Sequence, residues 1–368
     1  MGFQHHVFKI GGGLHGVLAS EESAIFKEWN IIAGQKAVND ILCKLEEAAD
    51  NASLLTAAFV VADSSAECEQ LNLLHELRQA FPSMFIVLWH PNATEDARMR
   101  TKAFAAGANM VSNSWEDWHA ALALLAKHKG GGSVRCDWCG LQGLTPSDMW
   151  IHQPLYHIYQ PSREGKCQIC CLEDVPNMAV HIHEMHDPRG PHPEVRTGAG
   201  SAVIVHRQQD NKFLMVQEFA GQGFWVPGGG NDPNERLSVC GVRECFEETG
   251  IRVVLKGLLE VAYRDTPRPW RLAVFYAVPE EEDVESRICH DQSIENGGHA
   301  RAPQVPKTLP CFESAGACWV SADDLPHIPI RNPSVIPWYQ RITSGNFELL
   351  PLDAWPANVQ EVFAGLEI

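Results

Sequence analysis

The chain has 368 residues, 45% apolar and 20% charged, with 29 Lys+Arg against 46 Asp+Glu and a net charge of −17. That length accommodates two or three domains, and the balance is that of a globular protein. So acidic a chain disfavours general coating of nucleic acid or docking to an anionic membrane. No apolar run reaches the length of a transmembrane helix. The start, Met1-Gly2-Phe3-Gln4-His5-His6, lacks the apolar core of a signal peptide. The expected location is intracellular, cytoplasmic rather than nuclear, with neither nucleic acid nor a membrane as partner.

The expected fold class is an α/β multidomain chain with three zones: 1–129, 134–190 and 198–368. In the first, the apolar runs Ala57–Ala62 and Met84–Trp89 alternate with helical patterns around 66–80 and 116–128. Short apolar runs between amphipathic helices read as a parallel α/β layer domain. This zone resembles a response-regulator receiver, with Asp63 where the phosphorylated aspartate would stand. It departs from that pattern in three places. Gly11-Gly12-Gly13 follows the first strand where an acidic pair is expected, His90 replaces a Ser or Thr, and Asn113 or Ser114 takes the place of a lysine. The resemblance implies a flavodoxin-like fold and a degenerate receiver used for docking or dimerisation. Gly130-Gly131-Gly132-Ser133 reads as a flexible linker.

The second zone is dense in Cys and His. Cys136-x2-Cys139-x12-His152-x4-His157 and Cys167-x2-Cys170-x10-His181-x4-His186 have the ligand spacing of tandem C2H2 zinc fingers. Thiolate and imidazole together suit Zn2+, giving two structural sites. His183 is a rival ligand in the second set, since Cys170 to His183 is x12. Residues 134–190 carry 4 Lys+Arg and 7 Asp+Glu and no basic stripe. A protein partner, met through Trp150, Leu155 and Tyr156 or through the receiver-like domain, is therefore expected rather than DNA. The other reading of those three residues is a small finger core.

The third zone opens with two strand patterns, Ser201–His206 and Phe213–Gln217, joined by a polar turn. Next come Trp225-Val226-Pro227-Gly228-Gly229-Gly230 and a helix bearing Glu244, Glu247 and Glu248. Carboxylates at i, i+3 and i+4 share one helix face and repel unless a hard divalent cation joins them. Gly250 fits the helix C-cap. Gly229, Glu235, Arg243, Glu244, Glu247, Glu248, Gly250 and Ile251 match the Nudix hydrolase signature G-x5-E-x7-R-E-U-x-E-E-x-G-U, with Cys245 at the first apolar position. The stretch therefore resembles a Nudix hydrolase, of the MutT type by its Trp-x-Pro-Gly-Gly approach and its Trp319 strand.

The resemblance implies an α/β/α sandwich that hydrolyses the pyrophosphate linkage of a nucleoside diphosphate derivative, such as an oxidised nucleotide or an ADP-ribose-type compound. It implies Mg2+ or Mn2+ on Glu244, Glu247 and Glu248, with the Gly228 carbonyl as a further ligand beside Gly229. Arg243 would pair with Glu235 and orient the carboxylates. Glu247 or Glu248 would be the general base, with Glu313 as an additional acid. Phe224, Trp225, Trp270 and Tyr276 are candidates for stacking on a base, and 280–313 reads as a polar loop or lid. The alternatives are a nucleotide-sensing regulator without turnover, and a zinc-finger adaptor whose Nudix domain is ancillary.

Overall fold

The computed structural model describes residues 4–10, 29–35, 54–61, 67–192, 197–264, 270–282 and 304–365. Asp63, Gly11–Gly13 and most of the 280–313 stretch (283–303) lie outside these residues. Strands β1 (Gln4–Ile10), β2 (Trp29–Gln35), β3 (Leu54–Val61), β4 (Phe85–Trp89) and β5 (Met110–Ser112) form one parallel sheet in the order β2-β1-β3-β4-β5. That is a doubly wound order of the flavodoxin type. Strand β4 alternates between two cores, as period 2 requires. Ile86 and Leu88 meet α1 (Glu67–Ala80) and α2 (Ala97–Ala105) on one face. Phe85 and Val87 meet Trp118, Ala121, Leu122 and Leu125 of α3 (Trp115–Leu125) on the other.

Asn113 and Ser114, expected from the receiver resemblance to stand where a lysine would be, serve local structure. Asn113 donates to the Pro91 carbonyl at 3.0 Å, and Ser114 accepts the Asp117 N–H at 3.2 Å as the N-cap of α3.

The Cys/His zone does not stand apart. Helix α4 (Pro146–His157) starts with a Thr145–Asp148 capping box and places Leu155 and Tyr156 in the same core as Phe85 and Trp118. Leu155 and Tyr156 are buried, so they are neither a free docking face nor the core of a self-contained finger. The glycine run at 130–133 is packed rather than free. The Lys129 and Gly130 N–H groups donate to Asp148 at 2.9 and 3.1 Å, and a Cβ on Gly132 would meet the Leu144 carbonyl oxygen at 2.0 Å. The second helix of the zone is α5 (Met178–Met185), capped by Asn177.

The third zone is built on a mixed sheet. Its path is β10 (Val253–Arg264), β11 (Trp270–Pro279), β6 (Ala199–Arg207), β7 (Lys212–Glu218) and β12 (Ser314–Ser321). Strand β8 (Phe224–Trp225) pairs with β7, and β9 (Gly228–Gly230) with β6. Ala202, Ile204 and Met215 face α7 (Val335–Thr343). Val203, Val205 and Leu214 face α6 (Leu237–Thr249), whose Cys245 is fully buried in the apolar role of its position. A further helix, α8 (Ala357–Val362), closes the described chain, and Phe363 just beyond it packs with Trp355 and Leu237. No helix among the described residues is long and apolar enough to cross a membrane.

The two sheets are locked together. Arg100 of α2 is wholly buried and donates to Ala93 O, Val111 O, Gln217 Oε1 and Ala315 O at 2.9–3.2 Å. Glu95 accepts from Arg207 and Lys212, and Asp117 accepts the N–H and hydroxyl of Thr308 at 2.6 and 2.7 Å. The side of the first unit that carries Glu95, Arg100 and Asp117 is covered by the chain's own second sheet unit. Residues 304–313 also belong to this packing: Gln304 pairs with the Arg252 backbone, and the Lys307 N–H donates to Thr249 O at 2.7 Å.

Candidate active site

Helix α6 carries the acidic face, and β9 lies across its start. Gly250 ends the helix at φ 72°, a left-handed C-cap that suits glycine. The approach of β9 is so close that a Cβ on Gly229 would stand 2.5 Å from the Glu244 carboxyl carbon. Arg243 organises the cluster. It binds Glu235 with two bonds of 2.8 Å, and its Nη1 donates to Glu244 Oε1 and Glu247 Oε2 at 2.9 Å each. Its Nη2 also reaches the Gly230 carbonyl at 3.1 Å. Glu248 is 7% exposed and accepts the Gly228 N–H at 2.9 Å.

Burial pushes Glu244 up to about 7, against the pull of Arg243. Glu248 is raised well above the carboxylate range, first by burial and then by Glu218. Glu218 is itself raised by burial although Arg331 binds it at 3.0 Å. Carboxylates held this way in a cleft are a recognised mark of a working site.

A cavity of about 580 Å³ is lined by Gly228–Gly230, Glu244, Glu248, Glu218, Glu313 and Arg331 from this domain. Glu247 is not in that wall. It is exposed, with its carboxylate on Arg243 and its carbonyl on the Lys307 ammonium. The three helix carboxylates are not drawn within 4.8 Å of one another; among the described residues only the two Cys/His sets are. Arg243 holds two of the three, and the Gly228 N–H holds the other.

The expected base-stacking residues lie elsewhere. Phe224 and Tyr276 are core residues, with the Tyr276 hydroxyl 3.2 Å from His206 Nδ1. Trp225 packs against Trp338, and Trp270 is half-buried away from the cavity lining. The rings that do line the cavity are Phe219, Phe312, His183 and His192. Nothing in the sequence singled out Phe219, Phe312 or Arg331. Phe312 adjoins the expected Glu313, whose charge acts on both Glu244 and Glu248.

Each Cys/His set converges. Cys136 Sγ lies 3.3 Å from His157 Nε2, Cys139 Sγ 3.4 Å from His152 Nε2, and the two Nε2 atoms are 3.1 Å apart. In the second set the corresponding distances are 3.4 Å for Cys167–His186, 3.4 Å for Cys170–His181 and 3.2 Å between the imidazoles. Bond lengths of about 2.0–2.3 Å around a tetrahedral zinc give edges of about 3.3–3.8 Å, and the donor separations of 3.1–3.4 Å lie at the short end of that geometry. His183 is not among them and turns to the cavity instead.

The NUDIX domain family matches residues 197–339. Residues 197–339 form a Nudix domain, and the chain is an enzyme of the Nudix pyrophosphohydrolase type. Human diphosphoinositol polyphosphate phosphohydrolase NUDT4B is 26% identical over 140 residues, covering 37% of this chain and 76% of its own length. Mouse diphosphoinositol polyphosphate phosphohydrolase 3-alpha is 26% identical over 148 residues, 39% of this chain and 88% of its own. A solved NUDIX hydrolase from Nitrosomonas europaea aligns at TM-score 0.31 with 16% identity, over 43% of this chain and 97% of that one. An Ap4A hydrolase from C. elegans aligns at TM-score 0.28 with 14% identity, over 40% and 96%.

Proposed function

We propose that the Nudix domain hydrolyses the pyrophosphate linkage of a nucleoside diphosphate derivative, with Mg2+ or Mn2+ bound by the carboxylates of α6. The reading rests on one observation: Glu244 and Glu248 line a single cavity with Gly228–Gly230, while Arg243 holds the acidic face in place. Glu244, Glu248 and the Gly228 carbonyl would hold the cation, with Glu247 joining by leaving Arg243. A divalent cation there would neutralise the phosphoryl oxygens and lower the pKa of a bound water. Arg243 keeps Glu244 and Glu235 oriented throughout. Glu313, outside the Arg243 pairs, is the carboxylate proposed to accept the proton of the attacking water.

The cavity also bears on substrate class. Its lining contains the glutamates 184, 218, 244, 248 and 313 against a single arginine and no lysine. The two named relatives are diphosphoinositol polyphosphate phosphohydrolases. A ligand with many phosphates needs many cations around it, and this lining offers one. A single pyrophosphate carrying uncharged groups suits it better.

The Cys/His sets are read as two structural Zn2+ sites, and the N-terminal unit as a degenerate receiver whose docking partner is the second sheet of this chain. The test is a panel of 8-oxo-dGTP, ADP-ribose, NADH, a diadenosine polyphosphate and a diphosphoinositol polyphosphate, run with Mg2+ or Mn2+. Turnover of a nucleoside derivative, lost in Glu248→Gln with the fold intact, is the expected outcome. Preference for the inositol compound would overturn the substrate class. Tight binding without turnover would make the chain a sensor.

A further inference from the structure

One wall of the cavity comes from outside the Nudix domain. Helix α5 of the second Cys/His set places Ala179, Val180 and His183 along it. The His183 imidazole is stacked on Phe312, with centroids 4.4 Å apart and planes 18° apart. Phe312 is in turn backed by Trp150, at 5.3 Å. Trp150 Nε1 donates to the His183 carbonyl at 3.3 Å, so both ends of the stack are fixed by α4 and α5. The zinc-ligand set does not require His183, and the cavity wall does contain it. The one arginine of the wall, Arg331, is already engaged by Glu218.

We propose that His183, held on Phe312, is a specificity-determining residue. It stacks on the planar heterocycle at the far end of the substrate while the pyrophosphate lies at Glu244 and Glu248. The proposal rests on the hydrolase reading above and adds a ring-binding subsite supplied by the second Cys/His set. An uncharged flat ring is the ligand group this wall fits, because its aromatic face needs no counter-ion and every nucleobase presents a π-face.

The test uses the full chain, zinc-loaded, with Mg2+. Two substrates are compared: the nucleoside diphosphate derivative turned over fastest, and 5-phosphoribosyl 1-pyrophosphate, which carries pyrophosphate and ribose but no base. His183→Ala is expected to raise KM for the base-bearing substrate about tenfold, the scale of one base–aromatic stack, with kcat little changed. KM for the base-free compound should not move, and His183→Phe should restore the first KM. Calorimetric binding of the matching nucleoside monophosphate should follow the same order without turnover. Zinc content of two per chain in each variant excludes loss of fold. Equal losses on both substrates, no loss on either, or no rescue by Phe overturns the subsite and leaves the hydrolase reading standing. Wild-type turnover of the base-free compound alone overturns the subsite and the nucleoside substrate class together, and leaves only pyrophosphate hydrolysis standing. A wild type that hydrolyses neither compound overturns both.

Discussion

Gly229 shows how little freedom the site leaves. A methyl group there would sit 2.5 Å from the Glu244 carboxyl carbon, well inside contact distance. Gly229→Ala is therefore expected to displace the Glu244 carboxylate by nearly 1 Å, the distance from 2.5 Å to ordinary contact at 3.4 Å. A misplacement near 1 Å costs about 10²-fold in rate, and a kcat loss of that order with a nearly unchanged melting temperature is the expected reading. Glu244 itself sets a pH dependence. Its pKa is raised from 4.5 to about 7 by burial, so the metal-free fold keeps a proton that the unfolded chain has already lost. Stability from this group is complete below pH 4.5 and is lost as pH rises through about 7. A divalent cation needs the ionised form and releases that proton. The gain in melting temperature on adding Mg2+ should thus be larger above pH 7 than below it. Glu244→Gln should shrink that difference, and calorimetry reads both.

At the scale of elements, the two Cys/His sets look alike in sequence and differ in burial. In the first, Cys136, His152 and His157 are buried, and α4 belongs to the core of the parallel sheet. In the second, only Cys167 is buried. If the first set holds the proposed Zn2+, Cys139→Ser should lower the melting temperature by about 10 °C or more, because loss of that ion would open a core and each kcal/mol moves a domain this size by about 2–4 °C. Cys170→Ser should cost less globally and show itself at the cavity wall, as a weaker affinity for nucleoside monophosphate.

The contrast also explains what the sequence could tell. Ligand spacing and the Nudix signature are local patterns, fixed by a few residues within one or two elements, so the Glu, Arg and Cys/His positions were legible. The rings that line the cavity were not. Phe312 lies in a polar stretch and gains its meaning only from Trp150 and His183, more than a hundred residues earlier. The aromatic residues near the signature, such as Phe224 and Tyr276, sit on strands whose alternation sends them into the core. The exposed face expected on the fingers vanished for a similar reason: Leu155 and Tyr156 found a sheet to cover.

For the molecule as a whole, Arg100 is the group whose removal should be felt furthest. Its guanidinium is fully buried and answers four acceptors, two in each sheet domain, with no carboxylate bonded to it. Arg100→Ala leaves those acceptors without donors and a cavity behind them, a loss of about 3 kcal/mol. Differential scanning calorimetry should show a lower midpoint, with the transition split between the two sheets now that their common fastening is gone. A midpoint within a degree or so of wild type would mean that the Glu95 and Asp117 contacts suffice to hold the sheets together.

Arg100 also sets an order of events during synthesis. Its partners Gln217 and Ala315 follow it by 117 and 215 positions. At a translation rate of about 5–20 residues per second, the last of them emerges roughly 10–40 s after the arginine. Until then the guanidinium has to stay hydrated, so the first sheet cannot close its finished surface while the ribosome is still making the second. A nascent chain stalled before β12 would present that unfinished face to every other protein around it.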